Sequence, residues 1–140
     1  MILLDTSVFI AIAHVHHVHH AASRDLWNFC SATDTAVSTH GLAEIYSGLT
    51  SMPRGFRLSP RNAVAAIDTF LLRATPVALT AEEYLGAIRA ASRAGNTGGS
   101  IYDALHVACA RKVDAERIYT WNVRHFSLVA PDLAGRFMTP

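Results

Sequence analysis

Along the chain, short uninterrupted apolar runs alternate with stretches in which apolar residues recur every three or four positions. Residues 1–4 are all apolar and stop at Asp5, a run that reads as a buried parallel strand. Thr35–Ser38, Pro76–Leu79 and Arg117–Thr120 read as further strands, and Ser127–Ala130 as a short fifth. Helical patterns fill the intervals. Val8–Ala13 is short, and Ala21–Cys30 is amphipathic. A third helix, capped by Thr39, carries Leu42, Ile45, Leu49 and Met52 on one stripe and ends near Ser51; a fourth ends near Arg73. Thr80 with Glu83 predicts a capping box and a helix to about Ala94. Ser100 with Asp103 predicts another, opening a helix to about Val113, and the glycines of 95–99 make that segment a loop. Strands alternating with helices imply an α/β sandwich around a parallel sheet of four to five strands. In such folds ligands bind outside the carboxyl ends of the strands.

Composition narrows the class. The 140 residues suit a single domain spanning 1–140. With 51% apolar and 16% charged residues, disorder is excluded. No apolar run approaches the roughly 20 residues of a membrane span. The opening Met-Ile-Leu-Leu-Asp lacks the basic start of a signal peptide, and Cys30 and Cys109 have neither finger nor redox spacing. A reducing, cytoplasmic setting is expected. The net charge of +1 gives no global attraction for nucleic acid, so local distribution must decide. Eleven of the twelve basic residues are Arg, whose planar fork suits phosphate, although genomic base composition also yields such a bias.

The candidate chemistry lies at the predicted strand ends. Asp5 terminates the first strand. Glu44 falls about 120° away from the apolar stripe of its helix. Asp103 sits in the first turn of its helix, where the macrodipole favours its ionised form. Asn122 follows the fourth strand. Each alone also reads as a cap, a turn residue or a solvated acid. Together they gather at one end of the sheet, where three carboxylates repel unless a cation intervenes. An oxygen-only donor set selects a hard ion, Mg²⁺ or Mn²⁺, rather than Zn²⁺.

The segments Ile2-Leu3-Leu4-Asp5-Thr6-Ser7, Ala43-Glu44, Asp103-Ala104-Leu105-His106-Val107-Ala108 and Thr120-Trp121-Asn122-Val123-Arg124-His125-Phe126 resemble, in order and spacing, the PIN-domain ribonucleases. More narrowly they resemble the VapC-type toxins of type II toxin–antitoxin pairs. The resemblance covers essentially the whole chain. It implies a PIN-like three-layer α/β/α sandwich and a Mg²⁺-dependent endoribonuclease, with Mn²⁺ as substitute. It also implies a homodimer and a cognate antitoxin whose segment enters the active-site groove. By this resemblance Asp5, Glu44 and Asp103 form the acidic metal site, Asn122 stands where many members carry a fourth Asp, and Thr120 lies beside the site. The Asn brings no charge, which favours one tightly held ion over two.

On this reading Asp5 and Asp103 are direct ligands, and Glu44 binds through water or acts as base. Thr6, Ser7, Thr120 and Asn122 support them from behind. Single-stranded RNA needs positive and stacking groups nearby. Arg54, Arg57 and Arg61 with Phe56, Arg89 and Arg93 near the glycine loop, and Trp121, Arg124 and His125 are the candidates. His40 and His106 share faces with Glu44 and Asp103. The early histidines His14, His16, His17, His19 and His20 include a pair one helical turn apart, but no acid or thiol nearby completes a zinc site. Two rivals are a PIN nuclease of RNA processing and a degenerate PIN domain kept for partner or RNA binding. A receiver-like phosphoacceptor fails because the first strand lacks paired acids and Lys112 is mid-helix.

Overall fold

The computed structural model describes residues 1–140. Five strands form one parallel sheet: β1 (Ile2–Leu4), β2 (Thr35–Ser38), β3 (Thr75–Val77), β4 (Arg117–Tyr119) and β5 (Phe137–Met138), in the order β3-β2-β1-β4-β5. The helices are α1 (Thr6–Ala13), α2 (His20–Asn28), α3 (Thr39–Ser51), α4 (Pro60–Leu71), α5 (Ala81–Arg93), α6 (Ser100–Lys112) and α7 (Val123–Val129), with a 3₁₀ turn at Pro131–Arg136.

The apolar run of β1 is buried on both faces. Leu3 joins Ala36, Val77, Val107, Ile118, Phe126 and Phe137 on one side of the sheet. Leu4 joins Val8, Phe9, Trp27, Val37, Ile45 and Phe70 on the other. These two cores define the three layers. In the second, Phe9 stands 4.9 Å from Phe70 and 5.8 Å from Trp27, ring centre to ring centre. Strand order reverses between β1 and β4, the switch point at which the connections leave in opposite directions and open a crevice.

Local signals explain most helix starts. Asp5 caps α1, Ser38 caps α3 through the Gly41 N–H, and Ser59 followed by Pro60 opens α4. The Thr80/Glu83 capping box is present in full. Three expectations need correction. Thr39 does not cap α3: it is the first residue of the helix, and Ser38 before it accepts the Gly41 N–H. Ser127–Ala130 is not a strand: the segment belongs to α7, and the fifth strand is Phe137–Met138. A four-residue run is too short for periodicity to separate the two states. Ser100 is not the cap of a box either. Gly99 takes the N-cap position of α6 without a side-chain bond, and Ser100 Oγ turns back to the Thr97 carbonyl at 2.7 Å. No helix is long and apolar enough to cross a membrane.

Candidate active site

Asp5 ends the central strand at the switch point and is 3% exposed. A carboxylate this buried needs donors. Its Oδ2 accepts from Ser7 Oγ at 2.7 Å, from Thr120 Oγ1 at 2.8 Å and from the Ser7 N–H at 3.3 Å. Thr120 Oγ1 in turn accepts from the Asn122 N–H, and Ser7 Oγ from the Trp121 N–H, each at 3.0 Å. The ends of β1 and β4 are thereby tied together through one carboxylate oxygen. Oδ1 accepts no hydrogen bond from the protein; its neighbour is His106 Nε2 at 3.7 Å.

Glu44 reaches the same place from α3. Its Oε2 accepts from His106 Nε2 at 2.7 Å and from Thr6 Oγ1 at 3.1 Å, while Oε1 has no protein donor. His106 is 1% exposed, and its Nδ1 meets Ser38 Oγ at 3.0 Å. Burial alone pushes this imidazole down. The Glu44 hydrogen bond and the charges of Asp5, Glu44 and Asp103 outweigh it and hold the group above its ordinary value. Burial likewise works against the Glu44 carboxylate, but His106 and Thr6 bring it below the usual range. The ring fits because residue 41 is Gly: a Cβ there would stand 2.8 Å from His106 Cε1 and 2.9 Å from Ser38 Oγ.

Asp103, in the first turn of α6, has no hydrogen-bond partner. Burial, then the charge of Asp5, pushes its carboxyl up to about 6 against the opposing pull of His106 and His125. It lines a cavity of about 570 Å³ with the glycine loop, Ser100 and His125. Glu44 lines a second, of about 460 Å³, with Thr6, His40 and Tyr102. The three acids thus come from three elements, each keeping at least one oxygen without a protein donor. No Lys or Arg bonds to any of them, and as they stand no three groups close tightly enough around one point to grip an ion.

The sequence profile of the PIN domain matches residues 2–130. The chain belongs to the PIN-domain family. Ribonuclease VapC27 of Mycobacterium tuberculosis (strain ATCC 25618 / H37Rv) is 34% identical over 113 residues, 81% of this chain and 79% of its own. The crystal structure of M. tuberculosis VapC20, a sarcin–ricin-loop-cleaving toxin, superposes with a TM-score of 0.72 at 25% identity, covering 87% of this chain and 90% of that one. A toxin–antitoxin complex from Klebsiella pneumoniae shares the fold, with a TM-score of 0.67 at 14% identity, covering 100% and 98% of the two chains.

Within this PIN domain the other sequence candidates divide. Thr6, Ser7 and Thr120 touch the acids directly. Asn122 is tied only to Thr120, through its backbone N–H; its side chain is exposed and bonds to none of the acids. His125 lines the Asp103 cavity. Arg54, Arg57, Arg61, Arg89, Arg93 and Arg124 are exposed and line neither cavity. Trp121 is not a free stacking surface: His19 lies flat on it at 3.6 Å, and its Nε1 donates to Ser23 Oγ. Among the early histidines, the His19 N–H donates to His17 Nδ1 at 3.1 Å, His14 lies near His16 and against Phe56, and His20 Nδ1 meets the Ala11 carbonyl; no three of them form a metal site. Sequence reasoning missed Ser38 and Gly41. The only hint was the strand-end Ser with Gly three residues later, a cap signal with no sign of the imidazole between them.

Proposed function

We propose that this PIN domain is an endoribonuclease toxin, silenced by a cognate antitoxin and homodimeric, that cleaves RNA phosphodiester bonds with Mg²⁺, or Mn²⁺ in its place, at Asp5, Glu44 and Asp103. One observation carries the reading. Asp5, Glu44 and Asp103 come from three elements at the carboxyl end of the sheet, each with an oxygen that no protein donor fills, and burial, then the charge of Asp5, raises Asp103 to about 6. That donor chemistry fits a hard divalent ion. Asp5 through Oδ1 and Asp103 would hold it, with Glu44 beside them. When bound, such an ion lowers the pKa of water and neutralises phosphoryl charge.

The remaining work falls to the chain itself. Ser7 and Thr120 occupy Oδ2 of Asp5, which leaves Oδ1 as its working oxygen. His106 and Thr6 do the same for Oε2 of Glu44, so Oε1 is the oxygen that takes a proton from the attacking water. The Glu44 carboxyl stands below its usual range and is therefore ionised at neutral pH, as a base must be. Asn122 adds no charge, and its exposed amide leaves a three-acid set. The names of VapC27 and VapC20 support RNA as substrate, and the Klebsiella complex supports an antitoxin partner.

The test is cleavage of a mixed RNA pool by antitoxin-free protein with Mg²⁺, with EDTA and as Asp103→Asn. Asp103 is the acid to change, because Asp5 also caps α1 and holds β4. Discrete fragments that need both the metal and Asp103 support the reading. Folded protein that neither cuts RNA nor binds Mn²⁺ replaces it with a non-catalytic PIN domain.

A further inference from the structure

The acid site does not account for the aromatic group beside it. On α3, His40, Ala43, Glu44, Ser47 and Gly48 share one side of the helix, and with Thr6 and Tyr102 they line the cavity of about 460 Å³. Three of its five α3 residues, Ala43, Ser47 and Gly48, are small. Tyr102, which precedes Asp103 on α6, is 46% exposed, and its hydroxyl has no protein partner. Its ring lies against His40, with centres 5.0 Å apart and planes 22° apart. His40 is held in turn by Tyr84, whose hydroxyl meets Nδ1 at 3.4 Å. Tyr102 is therefore a half-exposed ring stacked on His40, which lines the same cavity and is held in turn by Tyr84.

Three features narrow the occupant. No Lys or Arg lines this cavity, so it offers nothing for a phosphate to pair with. Glu44 at its edge repels anions. A braced aromatic ring beside small residues suits a flat, neutral, polarisable group. The cavity runs directly into Glu44 and Thr6, so its occupant sits next to the bond being cut.

We propose that the groove between α3 and α6 is a nucleobase subsite, in which a base adjoining the cleaved phosphodiester stacks on Tyr102. The proposal rests on the ribonuclease reading above and adds to it where substrate selection is made. The base is held by stacking, while its phosphate goes to the acid cluster. His40 is a positioning residue: it sets the plane of Tyr102.

The test uses antitoxin-free full-length protein and short single-stranded RNA carrying 2-aminopurine, whose fluorescence is quenched on stacking. Binding is read in EDTA and cleavage in Mg²⁺. Tyr102→Leu is expected to abolish the quenching and raise KM roughly 5- to 100-fold, and Tyr102→Phe to restore both. Ala43→Leu, at an exposed position, fills the groove without touching the fold and is expected to act like Tyr102→Leu. Equal KM and quenching in wild type and both leucine variants overturns the subsite while leaving the nuclease standing. Wild-type protein that neither binds nor cuts RNA overturns both. Leucine variants that change only self-association, followed by sedimentation, reassign the groove to a protein contact and overturn the base assignment.

Discussion

Replacing Asp103 by Asn is expected to stabilise the metal-free fold at neutral pH, the reverse of what most buried-site substitutions do. Burial and the charge of Asp5 raise this carboxyl from 3.8 to about 6. The folded state therefore binds its proton more tightly than the unfolded chain. The contribution is fully present below pH 3.8 and is lost as pH rises through about 6, so the ionised group opposes folding above that. For a desolvated group the difference corresponds to about 3 kcal/mol. Asp103 is only partly buried, and solvent screening reduces this to about 1–2 kcal/mol. Urea denaturation of both proteins in EDTA, from pH 4 to pH 8, reads it directly. The variant gains on the wild type across pH 4–7, and the gap is constant beyond. Adding Mg²⁺ then stabilises the wild type by mass action and leaves the variant unmoved. A variant less stable than wild type at pH 8 in EDTA, or a gap that does not change with pH, refutes the claim that burial and Asp5 disfavour the Asp103 charge.

Three further outcomes test the surroundings of the site. His106→Leu removes the shorter of the two donors to Glu44 Oε2 and the side-chain partner of Ser38, and is expected to cost about 2–4 kcal/mol at pH 6 and to abolish cleavage. Because the folded His106 stands above its ordinary value, the charged part of that cost fades as pH rises through the raised value; a loss that grows toward pH 9 contradicts the assignment. Gly41→Ala drives a methyl against His106 Cε1 and Ser38 Oγ, and is expected to destabilise by about 1–3 kcal/mol and slow cleavage; unchanged denaturation and activity show that the ring is not held there. Cys109, whose thiol burial pushes up to about 11, and Cys30, raised for the same reason, should resist alkylation in native protein at pH 8. Rapid labelling counts against their burial.

What the sequence determined by itself was local. The apolar run ending at Asp5 marked the central strand, and the Thr80/Glu83 pair marked the start of α5, because strand burial and helix capping are written in neighbouring residues. The acids at Asp5, Glu44 and Asp103 were legible from their places after strands together with the family resemblance. Tertiary structure alone decided the rest. α7 was misread as a strand because a four-residue apolar run carries no period, and β5 is two residues long and is defined only by pairing with β4. In the sequence His106 shares a helix face with Asp103, which marks it as a candidate contact to substrate or metal but names no partner. It became the hub of the acid site only because Glu44 and Ser38, 62 and 68 residues away along the chain, close on it over Gly41. No pattern in one segment encodes a hydrogen bond whose partners lie on two others. That bond exists only once the sheet order has brought the elements together.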